Sequence, residues 1–287
     1  MRKSKDRAED MQVKKWLLEQ GYPLEMATGR EFEKAGFWVS QGEYYKDPET
    51  NKPREVDIIA GITETPSSKS FRIKLLFVVE CKSSKKDKPW VLFSRGKAPY
   101  WPLSALPSSD NKATNLLSNL SRVDGIPETG FLRGPKRTAY GGTLAFKESN
   151  QDPVYNSFLS ISQAMRHVEK VELLPPVIAK ADKIELRAGL IVVKGSVFDA
   201  HLSDNGELEV QKIGFGRLRW KREGLGEGVN IDVVSMDHLR AYLKSARTEL
   251  NTVVQACDAN PDLINKKMWI EEALKRHQEL KHEEDEI

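Results

Sequence analysis

Two apolar runs separated by a short polar turn constrain this sequence more than anything else in it. Arg54-Glu55-Val56-Asp57-Ile58-Ile59-Ala60 sets Asp57 within a short apolar run. Phe71 to Val79 then rises through Leu75-Leu76-Phe77-Val78-Val79 and stops on Glu80-Cys81-Lys82. Pro66, Ser67 and Ser68 lie between them. Both runs are rich in β-branched and aromatic residues and bounded by turn formers, which predicts adjacent strands of one sheet. Side chains alternate along a strand, so Glu80 and Lys82 share a face while Cys81 points away from them, toward the core or the other sheet face. Two carboxylates and an ammonium gathered at the end of a hairpin are costly unless a cation sits between them. The chemistry this pattern points to is a divalent-metal site.

The flanking sequence extends the pattern. Pro23-Leu24-Glu25-Met26 opens a predicted helix over about 24–35, stopped by Gly36. On that helix Glu25 shares a face with Thr28, Gly29 and Phe32. Phe37 to Tyr45 reads as a first strand, with Asp47 to Asn51 as the turn that follows. A glutamate-bearing helix, a first strand, an Asp strand and a Glu-x-Lys strand come in this order in the PD-(D/E)xK nuclease superfamily, which the sequence resembles. The resemblance implies an α/β, restriction-endonuclease-like fold, a central mixed β-sheet flanked by helices. It implies that Asp57 and Glu80, helped by the backbone carbonyl of Cys81, hold Mg²⁺ or Mn²⁺. In the same terms Lys82 positions or polarises the attacking water, and Glu25 completes or supports the site. Val56 stands where the family name has proline, a position held loosely in the superfamily. Glu31 and Glu33 are candidates by spacing alone and read as surface charges.

Charge distribution supports a phosphate partner more than the totals do. The net charge of +3 over 287 residues is mild, and 39% hydrophobic and 30% charged residues form an ordinary globular balance. From Lys69 to Lys97, however, nine Lys/Arg face two acidic residues. Lys85, Lys86, Lys88, Arg95 and Lys97 are the candidate nucleic-acid contacts of this run. Arg217 and Arg219 are those of a second run that includes Lys212, Lys221 and Arg222. Basic flanks around a carboxylate site favour nucleic acid, DNA first, with strongly salt-dependent binding. Nucleases of this fold often pair to cut both strands, so a homodimer is part of the expectation. The two cysteines give neither a disulfide framework nor metal spacing. No apolar run is long enough to span a bilayer and the N-terminus is charged, which fits a cytoplasmic protein without a membrane partner.

The rest of the chain is predicted as follows. An amphipathic helix covers about 8–20, and a short strand follows at Pro89 to Phe93. The segment from about 96 to 150 is loop-rich, with Pro, Gly, Ser and Asn and weak periodicity. Its aromatics and cations suit either a border of the nucleic-acid cleft or ordinary loop packing. Pro153 to Glu172 is a helix, on which Gln163 is the candidate polar contact to the cleft, as related nucleases have there. Apolar strands follow at 189–193, continuing across a turn at 198–202, then at 208–213, 218–220 and 231–234, with Asp204-Asn205-Gly206 as a hairpin turn. Residues 1–235 are read as the nuclease-like domain and 236–287 as a helical extension packed on it, ending in an acidic tail.

Two other functions compete with the nuclease reading. One is a catalytically inactive nucleic-acid-binding or protein-interaction domain of the same fold, against which the intact Asp57, Glu80 and Lys82 set argues. The other is a nucleotide phosphohydrolase, which the lack of a phosphate loop disfavours: Gly214-Phe215-Gly216 has no strand-to-helix setting.

Overall fold

The computed structural model describes residues 2–47, 51–67, 71–83, 87–97, 111–119, 123–147, 153–170, 182–220 and 229–265. It is a mixed α/β structure, a large mixed sheet flanked by helices. The two apolar runs form β2 (Pro53–Glu64) and β3 (Phe71–Lys82), and the segment before them forms β1 (Trp38–Lys46). The three pair antiparallel in chain order. Further along come β4 (Trp90–Lys97), β5 (Arg137–Leu144), β6 (Asp182–Val193), β7 (Val197–Leu202), β8 (Leu208–Ile213), β9 (Phe215–Trp220) and β10 (Val229–Ser235). All ten lie in one sheet, in the order β1-β2-β3-β6-β10-β9-β5-β4-β7-β8. The ladders β3/β6, β6/β10, β5/β9 and β4/β7 are parallel.

Buried on both faces, β3 reads as a continuous apolar run, as interior parallel strands do. Its odd residues Ile73, Leu75, Phe77, Val79 and Cys81 enter one core. Under that core lie α2 (Tyr22–Lys34) and α5 (Met236–Ala259), together with α3 (Asn111–Asn119) and the single turn α6 (Asp262–Asn265). The even residues Leu76 and Val78 enter a second core, covered by α4 (Pro153–Lys170) through Val154, Phe158, Ile161 and Met165. Phe77 is fully buried in an aromatic cluster with Phe32, Phe37, Phe131 and Tyr242. Helix α1 (Arg2–Leu18) packs chiefly on α2.

Two expectations change. Within the segment expected to be loop-rich, the structure forms α3 and the strand β5. Gly142 of β5 is a close-approach residue. A Cβ at Gly142 would lie 3.0 Å from the Val91 carbonyl and 3.3 Å from Val154, so a side chain there would separate β5 from β4 and α4. Second, β7 does not pair with β6 although three residues separate them; it pairs with β4 and β8. The parallel pair β3/β6 passes through a short joint into the parallel pair β4/β7. The Lys194 N–H donates to the Lys82 carbonyl (3.2 Å) and the Trp90 N–H to the Ser196 carbonyl (2.9 Å). Lys82 therefore stands where β3 ends at this joint.

Candidate active site

The C-terminal end of β3 brings three of the predicted residues together. Glu80 and Lys82 lie on the α4 face and form an ion pair with each other. The Ser160 hydroxyl, on α4, donates to the other Glu80 oxygen at 3.2 Å. Glu80 is thus clamped between strand and helix, with only 7% of its surface exposed. Asp57 lies on β2 just past the last paired rungs, Ile58 opposite Val79. Its Oδ2 accepts the Cys81 N–H at 2.6 Å. Neighbouring carbonyls of an extended strand point to opposite edges. Since the Lys82 carbonyl faces β6, the Cys81 carbonyl faces the β2 edge, beside Asp57. The Cys81 side chain goes the other way, into the α2/α5 core, and burial pushes its thiol well up, so no thiolate nucleophile is available.

Glu25 lies on α2, on the opposite face of the sheet, close enough for its charge to act on Asp57. It is half-buried and raised, by burial first and then by the carboxylates of Glu55 and Glu80. Glu31 belongs elsewhere: it pairs with Lys34 at 2.6 Å and with Arg240 at 3.6 Å, and Glu33 is exposed. Around Asp57 the crowding of negative charge is plain. Burial, then the Glu80 carboxylate, with Glu25 adding to it, pushes Asp57 up to about 7, despite the Cys81 N–H and Lys82. Lys82 moves the other way from an ordinary buried amine. Burial opposes its charge, but the Glu80 carboxylate outweighs that and Asp57 adds to it, raising the lysine. Lys82 is therefore an ammonium at neutral pH.

Several residues of this environment escape sequence reasoning. Ser160 has no local signal beyond lying one turn before Gln163 on the same helix face; that it meets Glu80 depends on how α4 crosses the sheet. The Tyr45 hydroxyl donates to the Ser160 carbonyl at 3.4 Å, and burial pushes its phenol up to about 12. Tyr44 donates to Glu55 at 3.3 Å across the β1/β2 hairpin.

The predicted phosphate contacts fare unevenly. Lys85 and Lys86, with the side chain of Lys97, lie outside the described residues. Lys88 donates to the Phe146 carbonyl at 2.5 Å. Arg95 is exposed and stacks over the Tyr140 ring at 5.2 Å. Gln163 is buried on α4 near Ser160, and Arg219 is partly buried on β9.

Arg217 is a correction. It is 3% exposed and forms a bidentate pair with Asp232, Nε to Oδ1 at 2.7 Å and Nη2 to Oδ2 at 2.9 Å. It also donates to the Phe131 carbonyl at 2.6 Å, while Tyr242 donates to Asp232 at 2.6 Å. This arginine is a fully satisfied internal tie between sheet and loop, out of reach of any nucleic acid. Counting cations along the chain misplaces it, because its partner lies directly across the β9/β10 ladder.

The donor set at the strand end is all hard oxygen: two carboxylates and a backbone carbonyl, the chemistry that suits Mg²⁺ or Mn²⁺. Among the described residues no group of three or more His, Cys, Asp or Glu side chains is arranged to hold a metal ion. Among the same residues no helix is long and apolar enough to cross a membrane. No family model, curated protein or solved structure matches the chain.

Proposed function

We propose that this protein is a metal-dependent nuclease of the PD-(D/E)xK type, hydrolysing phosphodiester bonds of nucleic acid, with DNA the first substrate to test. The observation that carries the reading is the convergence of Asp57, Glu80 and Lys82 at one strand end, with Asp57 raised to about 7 by burial and by Glu80. Carboxylates crowded to that degree favour either protonation or a cation between them. Asp57, Glu80 and the Cys81 carbonyl would hold Mg²⁺ or Mn²⁺, and such an ion supplies positive charge against the scissile phosphate and makes its water more acidic.

The remaining roles follow from this chain's own groups. Lys82 is kept charged by Glu80 and presents N–H donors beside the carboxylates. There they orient the attacking water and stabilise charge developing on the phosphate oxygens. Ser160 fixes one Glu80 oxygen, so that the carboxylate does not rotate when Lys82 turns toward substrate. Glu25 adds a third carboxylate from α2, able to take a proton from the water because its own affinity for protons is raised. Arg95, presented with Tyr140, offers a cation and an aromatic face to a nucleic-acid backbone and its bases.

The test is cleavage of plasmid and single-stranded DNA with Mg²⁺, Mn²⁺ or EDTA, comparing wild type with Lys82→Ala and Asp57→Ala. Metal-dependent nicking, lost in both variants, is the expected result. Salt-sensitive DNA binding that is equal in all three proteins, without any cutting, would instead assign a silent binding domain.

A further inference from the structure

Away from the strand end, α2 and α5 enclose a groove with no role in the carboxylate site. Its volume is about 450 Å³, and its charged lining is Glu31 and Lys34 from α2 with Arg240, Lys244 and Arg247 from α5. The lining carries four cations and one anion. Arg240, Lys244 and Arg247 follow one another at i, i+4 and i+7, a single stripe down the helix. The core face of the same helix is separate, formed by Leu239, Leu243, Ala246, Leu250 and Val253. The stripe is exposed and contributes nothing to the hydrophobic core.

One of these cations is built into place. The Arg247 Nη1 donates to the Ala35 carbonyl at 2.8 Å, at the C-terminal end of α2. The guanidinium can lie there only because position 36 is glycine. Gly36 has φ +87°, and a Cβ on it would come within 2.4 Å of Arg247 Nη1. The same donation leaves the other guanidinium N–H groups for a ligand. Arg240 is held more loosely, 3.6 Å from Glu31, with 78% of its side chain exposed. Like charges along one stripe repel by a few tenths of a kcal/mol per pair, and an anion spread along the groove reverses the sign of that cost.

We infer that this groove is a phosphate-binding exosite that holds nucleic-acid backbone outside the catalytic cleft. The inference rests on the nucleic-acid reading of the protein. The seven rises of helix from Arg240 to Arg247 span about 10 Å, the axial length of about three phosphates on one strand of a duplex. Cations spaced along one helix side suit a polyanion. Of the groove's eight lining residues only Ala35 is apolar, whereas small-molecule pockets are lined mostly by hydrophobic and aromatic residues. Lys34 lies about two and a half turns along α2 from Glu25 and on the opposite side of the helix, so the exosite and the candidate active site do not share a surface.

The experiment is binding of a labelled duplex oligonucleotide in EDTA, by fluorescence anisotropy across a salt series. Arg240→Gln combined with Lys244→Gln should weaken binding at least tenfold at low salt. It should also flatten the slope of log affinity against log salt by about 1.8, or about 0.9 for each phosphate no longer neutralised. Glu31→Gln should act in the opposite direction and tighten binding. Lys14→Gln with Lys15→Gln, exposed cations on α1, should leave the slope unchanged. Arg240, Lys244, Lys14 and Lys15 are exposed and Glu31 is partly so, and circular dichroism confirms that each variant is folded.

An unchanged slope in the α5 double variant overturns the exosite. So does an equal loss in the α1 control, which would show an effect of net charge alone. Nucleoside triphosphate and inorganic phosphate are run as competing ligands. Loss of their binding with duplex binding intact would make the groove a site for free phosphates and would also overturn the proposal. Because no cutting is measured, a protein that never cleaves DNA can still show the exosite, and a nuclease with an unchanged slope loses only the exosite.

Discussion

Asp57→Asn separates the cost of the candidate site from its use. The Asp57 carboxyl has an ordinary value of 3.8 and is pushed up to about 7 in the fold, by burial and then by Glu80. A raised carboxyl binds its proton more tightly folded than unfolded. Its contribution to stability is therefore fully present below pH 3.8, falls as pH rises, and is lost above about 7. At roughly 1.36 kcal/mol per pH unit, the interval corresponds to about 4 kcal/mol. Asparagine has the same shape, keeps an oxygen to accept the Cys81 N–H, and cannot ionise. The variant should gain on wild type as pH rises and level off near pH 8, ahead by up to about 4 kcal/mol, or roughly 8 °C in Tm for a chain of this size. Urea unfolding in EDTA, read as the difference between the two proteins from about pH 4 to pH 8, measures it. Mg²⁺ at the upper end should narrow the gap by stabilising wild type alone. A flat difference across that range, or wild type gaining on the variant with rising pH, refutes the argument that Asp57 is crowded by carboxylates.

Other expectations follow from single interactions. Ser160→Ala removes the donor to Glu80 and should lower kcat by about tenfold, or about 1.4 kcal/mol, with KM unchanged; steady-state cleavage kinetics check it. Arg217→Ala leaves the Asp232 carboxylate buried without its cation, with only the Tyr242 hydroxyl donating to it. It should cost about 3–5 kcal/mol in urea unfolding, while the salt slope of duplex binding by the folded protein stays that of wild type. Phe77→Ala hollows the aromatic cluster shared by α2, β3 and α5, with an expected loss of about 3–5 kcal/mol and no change of binding slope.

Much of this protein is legible in local pattern. The period-two alternation of β3 assigns Glu80 and Lys82 to one face and Cys81 to the other, and the structure divides them that way. The turn formers around β2 and β3 define their pairing, and the helical spacing of Glu25, Thr28, Gly29 and Phe32 defines the inward side of α2. These are near-neighbour regularities, fixed by backbone geometry before any long-range contact forms.

What the sequence does not disclose depends on register and crossing. Arg217 looks like part of a basic run until β10 sets Asp232 directly across from it and turns a surface cation into an internal tie. Ser160 meets Glu80 only because α4 crosses the end of β3. Gly142 lies in the segment expected to be loop-rich, and only the structure sets β4 and α4 against it. The α2/α5 groove joins charges far apart in the chain, Lys34 and Arg247, through the packing of two helices on one core. Composition and periodicity are properties of neighbours along the chain. Charge neutralisation, clamping and grooves arise between segments distant in sequence, and only the tertiary structure decides which of them meet.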